Sequence, residues 1–295
     1  MSETAQLTSA GWGFLAVGTA LAIAGLWFAT RVPSDGQLAG WTRRYGCALT
    51  ASTRPVVTRY RRRTRTLQVA GAALGFLASP AYIGLTDRAF PLGDSWVLLA
   101  VCGYLVGTVV AEAASFRPYR AMSDMRAASL SPRTLTDYVP AVTIWAIRVL
   151  PLAVVALCMA YGLMPKSPPQ PVEPSVAFVI VSTAFIVVFA VAIEAILRAI
   201  VARPQPATTE DGVAADDAVR ASSIHALSAA AIALLILSVG WVLVSIGTAI
   251  PGSLLAQLFP WLGLLTDVGA LVAWLALGHP RSWHVRRSEP LLSPR

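Results

Sequence analysis

Charged side chains are scarce in this 295-residue chain: Asp, Glu, Lys and Arg make up 13% of it, whereas hydrophobic residues make up 56%. Soluble domains carry roughly a quarter of their residues as charged side chains. The scarcity excludes an ordinary soluble domain and favours a multi-pass membrane protein. The formal net charge of +8 does not indicate nucleic acid as a partner, because the positive charge lies between apolar runs, where membrane topology accounts for it.

Cysteine, histidine and lysine are also rare, and each shortage excludes a class of site. The three cysteines, Cys47, Cys102 and Cys158, fit neither a disulfide framework nor a metal cluster, and there are only three histidines. The single lysine, Lys166, lacks the upstream glycine of a P-loop and lies outside every apolar run, so no run can carry a retinal Schiff base. The motifs GxSxG and HExxH are absent. We therefore expect no cofactor and no metal, and we name no catalytic residue.

What the chain does contain is seven apolar runs, each long enough to cross about 30 Å of hydrocarbon as a helix. They predict an all-α integral membrane protein whose residues 1–278 form a seven-span transmembrane helix bundle, followed by a basic cytoplasmic tail at 279–295. No positive charge precedes the first run, so we interpret it as a retained span and not as a cleaved signal. The predicted spans are residues 11–30, 67–85, 95–116, 141–164, 175–201, 222–250 and 255–278.

Orientation follows from the segment between the first two runs, residues 41–65, which carries eight arginines and no acid. Loops rich in Lys and Arg stay in the cytoplasm. Arg31, the three loops on that side and the C-terminal tail together hold nineteen of the twenty-three basic residues, whereas the short loops hold only Arg88 and Lys166. We predict a plasma-membrane protein with its N-terminus outside, its C-terminus in the cytoplasm, and residues 41–65, 117–138 and 202–220 as cytoplasmic loops.

The spans are expected to pair as helical hairpins. Prolines follow each helix that arrives at the cytoplasmic side, at Pro33, Pro118, Pro204 and Pro280, with spacings of 85, 86 and 76 residues. This spacing indicates a bundle built from repeated hairpins. Proline beyond a helix end is also ordinary stop chemistry, so the sequence leaves a repeat and its absence both open.

Small residues predict one contact within the first hairpin. Two GxxxG patterns, Gly71 with Gly75 and Gly103 with Gly107, lie at similar depth in neighbouring spans. Such patterns let helix backbones approach closely in lipid, where apolar side chains alone give helices no reason to associate. We predict that these four glycines pack the second and third spans together.

Five ionisable residues fall inside the predicted spans: Glu112, Arg148, Glu194, Arg198 and Asp267. Each costs roughly 2.5–3.5 kcal/mol at a helix centre on insertion scales and is therefore expected to face the bundle interior. By helical rise the first four lie within about 10 Å of the cytoplasmic end. We predict that Arg148 and Arg198 pair with Glu112 and Glu194, as links between helices or as the wall of a polar vestibule.

Asp267 differs from these four because it lies near the bilayer midplane, with no basic residue at its depth. Its predicted hydrogen-bond donors are Thr266 and Ser245. A midplane acid is typical of proton-coupled transporters, but a neutral acid hydrogen-bonded between helices serves packing alone. The sequence leaves both interpretations open.

The third cytoplasmic loop carries the opposite charge to the first. Its acids, Glu210, Asp211, Asp216 and Asp217, are expected to be solvated, to attract the basic loop at 41–65, or to favour the start of the following helix. None of these roles indicates a catalytic activity.

Two functions from different classes fit this pattern. The first is a transport-type or permease-like membrane component, indicated by multiple spans and intramembrane charges. The alternative is a membrane-embedded scaffold or sensor whose basic cytoplasmic face binds membrane lipids with anionic headgroups, or a protein partner. The residues predicted to form that lipid or partner surface are Arg43, Arg44, Arg59, Arg61, Arg62, Arg63 and Arg65.

Overall fold

A computed structural model describes residues 16–86 except 17 and 21, together with 96–115, 133–164, 176–203, 210–250 and 252–278. Within these ranges the chain is helical and has no strands. A short 3₁₀ helix, Leu135–Asp137, precedes the fifth α-helix. The α-helices of the described chain are α1 (Gly18–Thr30), α2 (Asp35–Tyr45), α3 (Arg54–Thr86), α4 (Trp96–Ser115), α5 (Ala141–Leu163), α6 (Val176–Ala202), α7 (Glu210–Ala249) and α8 (Leu254–Gly278).

Four of these helices, α5 to α8, contain segments long and apolar enough to cross a membrane. The apolar stretches of α1 and α4 that the structure describes are shorter. Each of the seven predicted runs overlaps one helix, and within the described residues length and composition together qualify four of them as candidate spans. The candidate spans are Ala141–Leu163, Thr183–Ala202, Asp211–Ala249 and Leu254–Gly278.

Helix α7 lies at the centre of the described helices, because it packs against α2, α3, α4, α5, α6 and α8. Its middle is rich in small buried residues, including Ala229, Ala230, Ala231 and Ala233. Small side chains let neighbouring helices approach closely. The helices of each predicted hairpin also contact one another, α3 with α4, α5 with α6, and α7 with α8. Polar residues near the start of α7 are consequently enclosed by other helices.

Helix α2 is a short amphipathic helix with well-defined ends. Ser34 and Gln37 form a capping box at its start, and Gly46 ends it in the left-handed conformation with φ of 65°. Its apolar face, which includes Trp41 and Tyr45, is buried in a cluster with residues of α3 and α7. This packing fixes α2 across the ends of the longer helices.

Two segments that we predicted as loops are largely helical. Residues 41–65 comprise the end of α2, a connection, and the first turns of α3, and residues 210–220 belong to α7. Hydropathy identifies only the apolar part of a helix, whereas arginine and alanine are good helix formers that continue the helix beyond its apolar stretch. Acids near the start of α7 also favour its N-terminal end. The loop prediction for these residues is therefore wrong.

The four glycines of the two GxxxG patterns lie at the contact between α3 and α4. A Cβ atom on Gly71 would overlap the carbonyl of Gly103, and a Cβ atom on Gly103 would overlap the carbonyl of Gly71. Gly75 faces the backbone of Leu99 in the same way, and Gly107 faces the backbone of Leu67. The structure thus brings the two helix backbones together along the predicted glycine pairs.

Candidate functional site: two basic cavities at one end of the bundle

The basic end of the bundle is the end at which α1, α4 and α8 finish and α3 and α7 begin. Two cavities lie there on different sides of α3. The first, which we call the outer groove, has a volume of about 890 Å³ and lies between the end of α1, the start of α3 and the end of α4. It is lined by Thr30, Val32, Arg54, Pro55, Thr58, Arg59, Arg62, Arg63, Thr66, Leu67, Val110 and Ala114.

The outer groove is strongly positive. Arg54 forms an ion pair with Asp35. Arg59, Arg62 and Arg63 have no acidic partner within 4 Å in the described part of the chain. None of the described residues that line the groove is acidic. Three uncompensated guanidinium groups beside threonine hydroxyls form a surface that attracts anions and offers them several hydrogen-bond donors.

The second cavity, which we call the inner cavity, has a volume of about 490 Å³ and lies beneath α2. Its wall combines three arginines, a glutamate and a set of aromatic rings. Tyr104 and Trp274 meet edge to face there, with ring centroids 5.6 Å apart. The charged lining residues are Arg44, Arg61, Arg65 and Glu112, and the aromatic ones are Phe28, Trp41, Tyr45, Tyr60, Tyr104 and Trp274.

A buried hydrogen-bond network holds the wall of the inner cavity together. The Tyr60 hydroxyl donates to Oε1 of Glu112 at 3.0 Å, and Oγ of Ser222 lies 3.2 Å from the same phenol oxygen. Trp41 donates its indole N–H to Oγ of Ser222 at 3.2 Å. Burial, and secondarily the Glu112 carboxylate, raises the pKa of Tyr60 well above its ordinary value. Tyr60 therefore keeps its proton and remains a donor at neutral pH.

Glu112 is 1% exposed, and its second carboxylate oxygen, Oε2, has no hydrogen-bond partner among the described residues. We predicted an arginine partner for Glu112, and no arginine of the described chain lies within ion-pair distance of it, so that prediction is wrong. Arg148 instead contacts Glu194 at 2.7 Å, and Arg198 contacts the same carboxylate oxygen at 2.9 Å. Glu112 on α4 and Arg148 on α5 were predicted to lie at similar depth, but they do not meet, because α7 packs against both helices.

Glu194 accepts from both arginines and so links α5 to α6. Arg148 and Arg198 also line a third cavity of about 530 Å³, together with Arg133 and Trp145. The side chains of Arg148 and Arg198 are 47% and 70% exposed. The predicted layer of four charges is therefore two separate features, an ion-pair cluster on α5 and α6 and the carboxylate of the inner cavity.

Asp267 is half-buried on α8 and lines none of these three cavities. Neither of its predicted donors reaches it. The Thr266 hydroxyl donates to the carbonyl of Gly263 at 2.6 Å, and the Ser245 hydroxyl donates to the carbonyl of Trp241 at 3.0 Å. The hydrogen-bond prediction for Asp267 is wrong because helical serine and threonine hydroxyls bond to their own helix.

A buried ionic network near the start of α7 was not predicted. Arg220 is 1% exposed and donates to three carbonyls at the end of α6, those of Ile200, Val201 and Arg203, at 2.9–3.2 Å. It also forms an ion pair with Asp216 at 2.9 Å. The last carbonyls of a helix have no partner within it, so Arg220 caps α6 from α7.

Two more ion pairs complete this network: Arg203 contacts Asp216, and Arg133 lies 3.0 Å from Asp217. Of the three expectations for the two aspartates, solvation is wrong, because they are only 3% and 8% exposed. The spacing of Asp216 and Arg220 by four residues is the signal that could have indicated a helix here. The network joins the segment before α5, the end of α6 and the start of α7, so its role is structural.

The arginines predicted to form a lipid or partner surface divide between the two cavities. Arg59, Arg62 and Arg63 line the outer groove, whereas Arg44, Arg61 and Arg65 line the inner cavity. Arg43 is exposed and lines neither. Sequence reasoning grouped all seven as one basic face, because charge density alone does not show on which side of α3 each side chain lies.

No known protein family, curated protein or solved structure matches this chain. Among the described residues, no group of three or more His, Cys, Asp or Glu side chains is placed to hold a metal ion. Cys47, Cys102 and Cys158 are free thiols. The features of the described chain that bear on function are therefore the cavities at the basic end.

Proposed function

We propose that this chain is a seven-span plasma-membrane protein, oriented with its basic end in the cytoplasm, that binds anionic phospholipid headgroups there. The observation that carries the proposal is the outer groove, where Arg59, Arg62 and Arg63 lie together without acidic partners in the described chain. A guanidinium group donates two parallel hydrogen bonds to phosphate. The groove thus offers a phosphodiester both charge and directed donors.

The groove also offers apolar contact. Val32, Leu67 and Val110 line it beside the arginines, so an amphiphile can place its headgroup on the charges and its glycerol and chains against these side chains. Each arginine near an anionic membrane surface contributes about 1 kcal/mol of attraction. Three of them contribute about 3 kcal/mol, which corresponds to roughly two orders of magnitude in affinity.

The cellular role that fits this site is a membrane-embedded scaffold or sensor, in which the anionic lipid content of the cytoplasmic leaflet sets the occupancy of the groove. The positive-inside rule supports the orientation, since the same arginines that line the groove hold the segment in the cytoplasm. Anionic lipid is concentrated in that leaflet. The proposed orientation therefore places the groove beside the leaflet in which its anionic ligand is concentrated.

A transport-type component is the second candidate, and Asp267 is the observation that favours it. This acid lies in the middle of α8 and forms no ion pair with the described residues. Such an acid is a common feature of proton-coupled transport. The outer groove supports lipid binding more strongly, because it joins charge, donors and volume at one place, whereas Asp267 lines none of the three cavities.

The test uses the full chain in a zwitterionic detergent at fixed ionic strength, titrated with short-chain phosphatidylglycerol. Tryptophan fluorescence reports binding. We expect Arg62→Gln to raise the dissociation constant about fivefold, since a loss of about 1 kcal/mol corresponds to that factor. The matched control is Arg43→Gln, which also removes one exposed arginine but leaves the groove intact.

For Arg43→Gln we expect less than a twofold change. Equal losses for the two variants would show diffuse attraction to a basic surface and would contradict the groove as the site. Equal affinity of the protein for phosphatidylglycerol and phosphatidylcholine would exclude specific recognition of anionic lipid. A proton-dependent flux in reconstituted vesicles that Asp267→Asn abolishes would favour the transport candidate instead.

A further inference from the structure

We propose that the inner cavity is a second binding site, with a different ligand chemistry: it takes a compound that carries both a phosphate and an ammonium group, of the phosphoethanolamine class. The inner cavity shares no lining residue with the outer groove. It is also the only one of the three described cavities whose lining includes an acidic residue. This inference goes beyond anionic lipid binding and does not depend on it.

Three buried polar atoms on the cavity wall have no hydrogen-bond partner among the described residues: Oε2 of Glu112, Nη2 of Arg65 and Oγ1 of Thr64. A buried polar group left without a partner keeps its full desolvation penalty. One of these atoms is an acceptor, one is a donor, and the hydroxyl can act as either. A ligand that satisfies the set must therefore bring both a donor and an acceptor.

The donor of the ligand is best supplied by an ammonium group. Glu112 offers its free oxygen in a part of the cavity that Tyr60 and Trp41 also line. Because the Tyr60 hydroxyl already occupies Oε1, the free Oε2 can accept from one additional donor. Aromatic rings around a cation add further attraction, as in the aromatic cages that recognise substituted ammonium groups.

The acceptor of the ligand is best supplied by a phosphate. Arg44, Arg61 and Arg65 line the cavity, and none has an acidic partner within 4 Å in the described chain. The guanidinium of Arg65 lies 4.0 Å from the ring centroid of Phe28. This stacking holds the arginine in place, and a preorganised guanidinium loses less entropy when it binds phosphate.

A ligand with a single charge satisfies only part of this wall. A simple anion leaves Oε2 of Glu112 without a donor and is repelled by that carboxylate, whereas a simple amine is repelled by the three guanidinium groups. A cavity of about 490 Å³ is within the size range of small-molecule sites. A compound with both groups pairs with both kinds of lining charge at once.

The experiment measures tryptophan fluorescence of the detergent-solubilised full chain, since Trp41 and Trp274 line the cavity. Four probes are titrated into a variant whose outer groove is neutralised (Arg59→Gln, Arg62→Gln and Arg63→Gln), because the anionic N-acetyl probe would otherwise bind that groove. The probes are dihexanoyl phosphatidylethanolamine, its N-acetyl derivative, soluble glycerophosphoethanolamine, and inorganic phosphate. We expect the N-acetyl derivative to bind at least tenfold more weakly than dihexanoyl phosphatidylethanolamine, its parent. We expect inorganic phosphate to bind at least tenfold more weakly than glycerophosphoethanolamine. In both cases the weaker probe lacks the ammonium group. Equal binding of soluble and lipid forms identifies a soluble ligand, and preference for the lipid form identifies a membrane lipid; both support the site.

Variants separate this site from the outer groove. Glu112→Gln keeps an acceptor for Tyr60 but removes the carboxylate charge, so we expect the tenfold preference for the ammonium form to fall below threefold. Arg61→Gln should weaken binding of all phosphate-bearing probes, and Arg43→Gln, which lies outside both cavities, should leave the preference unchanged. Equal binding of the parent and N-acetyl forms by the protein with the neutralised outer groove would overturn the proposal, even if Glu112→Gln failed to fold. That result would leave the proposal for the outer groove intact, because the outer groove is tested separately by phosphatidylglycerol binding and its sensitivity to Arg62→Gln.

Discussion

Replacing Arg220 with methionine is expected to cost about 3–5 kcal/mol of folding free energy. The arginine side chain is almost completely buried and makes four hydrogen bonds, three to carbonyls at the end of α6 and one to Asp216. Methionine has similar length and helix propensity but donates none of these bonds. Removing one partner of a buried ion pair typically costs this amount. Here the three carbonyls stay buried without their donor, and Asp216 keeps only Arg203 as its partner.

The measurement is equilibrium unfolding in mixed micelles with increasing SDS, followed by tryptophan fluorescence. Arg43→Gln is the control, and its exposed side chain should change the unfolding free energy by less than about 0.5 kcal/mol. A second variant, Asp216→Leu, should be at least as destabilising, because both Arg203 and Arg220 then lose the carboxylate that they share. Arg220→Met within about 1 kcal/mol of wild type would refute the reasoning.

Two further predictions concern helix packing and orientation. Gly103→Ala should destabilise the protein by about 1–3 kcal/mol in the same unfolding assay, because its Cβ would overlap the backbone of α3. The control Gly269→Ala, whose Cβ would meet only Ile236 at 4.0 Å, should be neutral or stabilising. Equal effects of the two variants would exclude a close contact at Gly103. Ser52→Cys should react with a membrane-impermeant maleimide only after cells are permeabilised, and labelling in intact cells would invert the proposed orientation.

The sequence predicted where helices occur better than where they end. Runs of apolar residues identified α5, α6 and α8 to within about two residues, because lipid-crossing helices must be continuous and apolar. The starts of α3 and α7 were missed, since their polar turns follow helix propensity and tertiary ion pairs. Arg220 is the clearest case, because its role in capping α6 depends on where the two helices lie in space.

The glycine pairs were predictable because the property that matters is intrinsic to the residue: an absent Cβ permits close approach wherever two such helices meet. The partners of Glu112 and Asp267 were not predictable in this way. Helical rise gave their depth, but depth does not state which face of a helix meets which neighbour. Tyr60, the observed donor to Glu112, was not considered because it lies in the basic segment that we interpreted as a loop.

The most direct test of lipid binding at the outer groove is photo-crosslinking with a phosphatidylglycerol analogue that carries its reactive group in the headgroup, followed by peptide mapping. We predict crosslinks concentrated on peptides that contain Arg59, Arg62 or Arg63, and their loss in the presence of excess phosphatidylglycerol but not of excess phosphatidylcholine. Crosslinks spread evenly over the arginine-containing peptides, with Arg43 labelled as strongly as Arg62, would contradict the account.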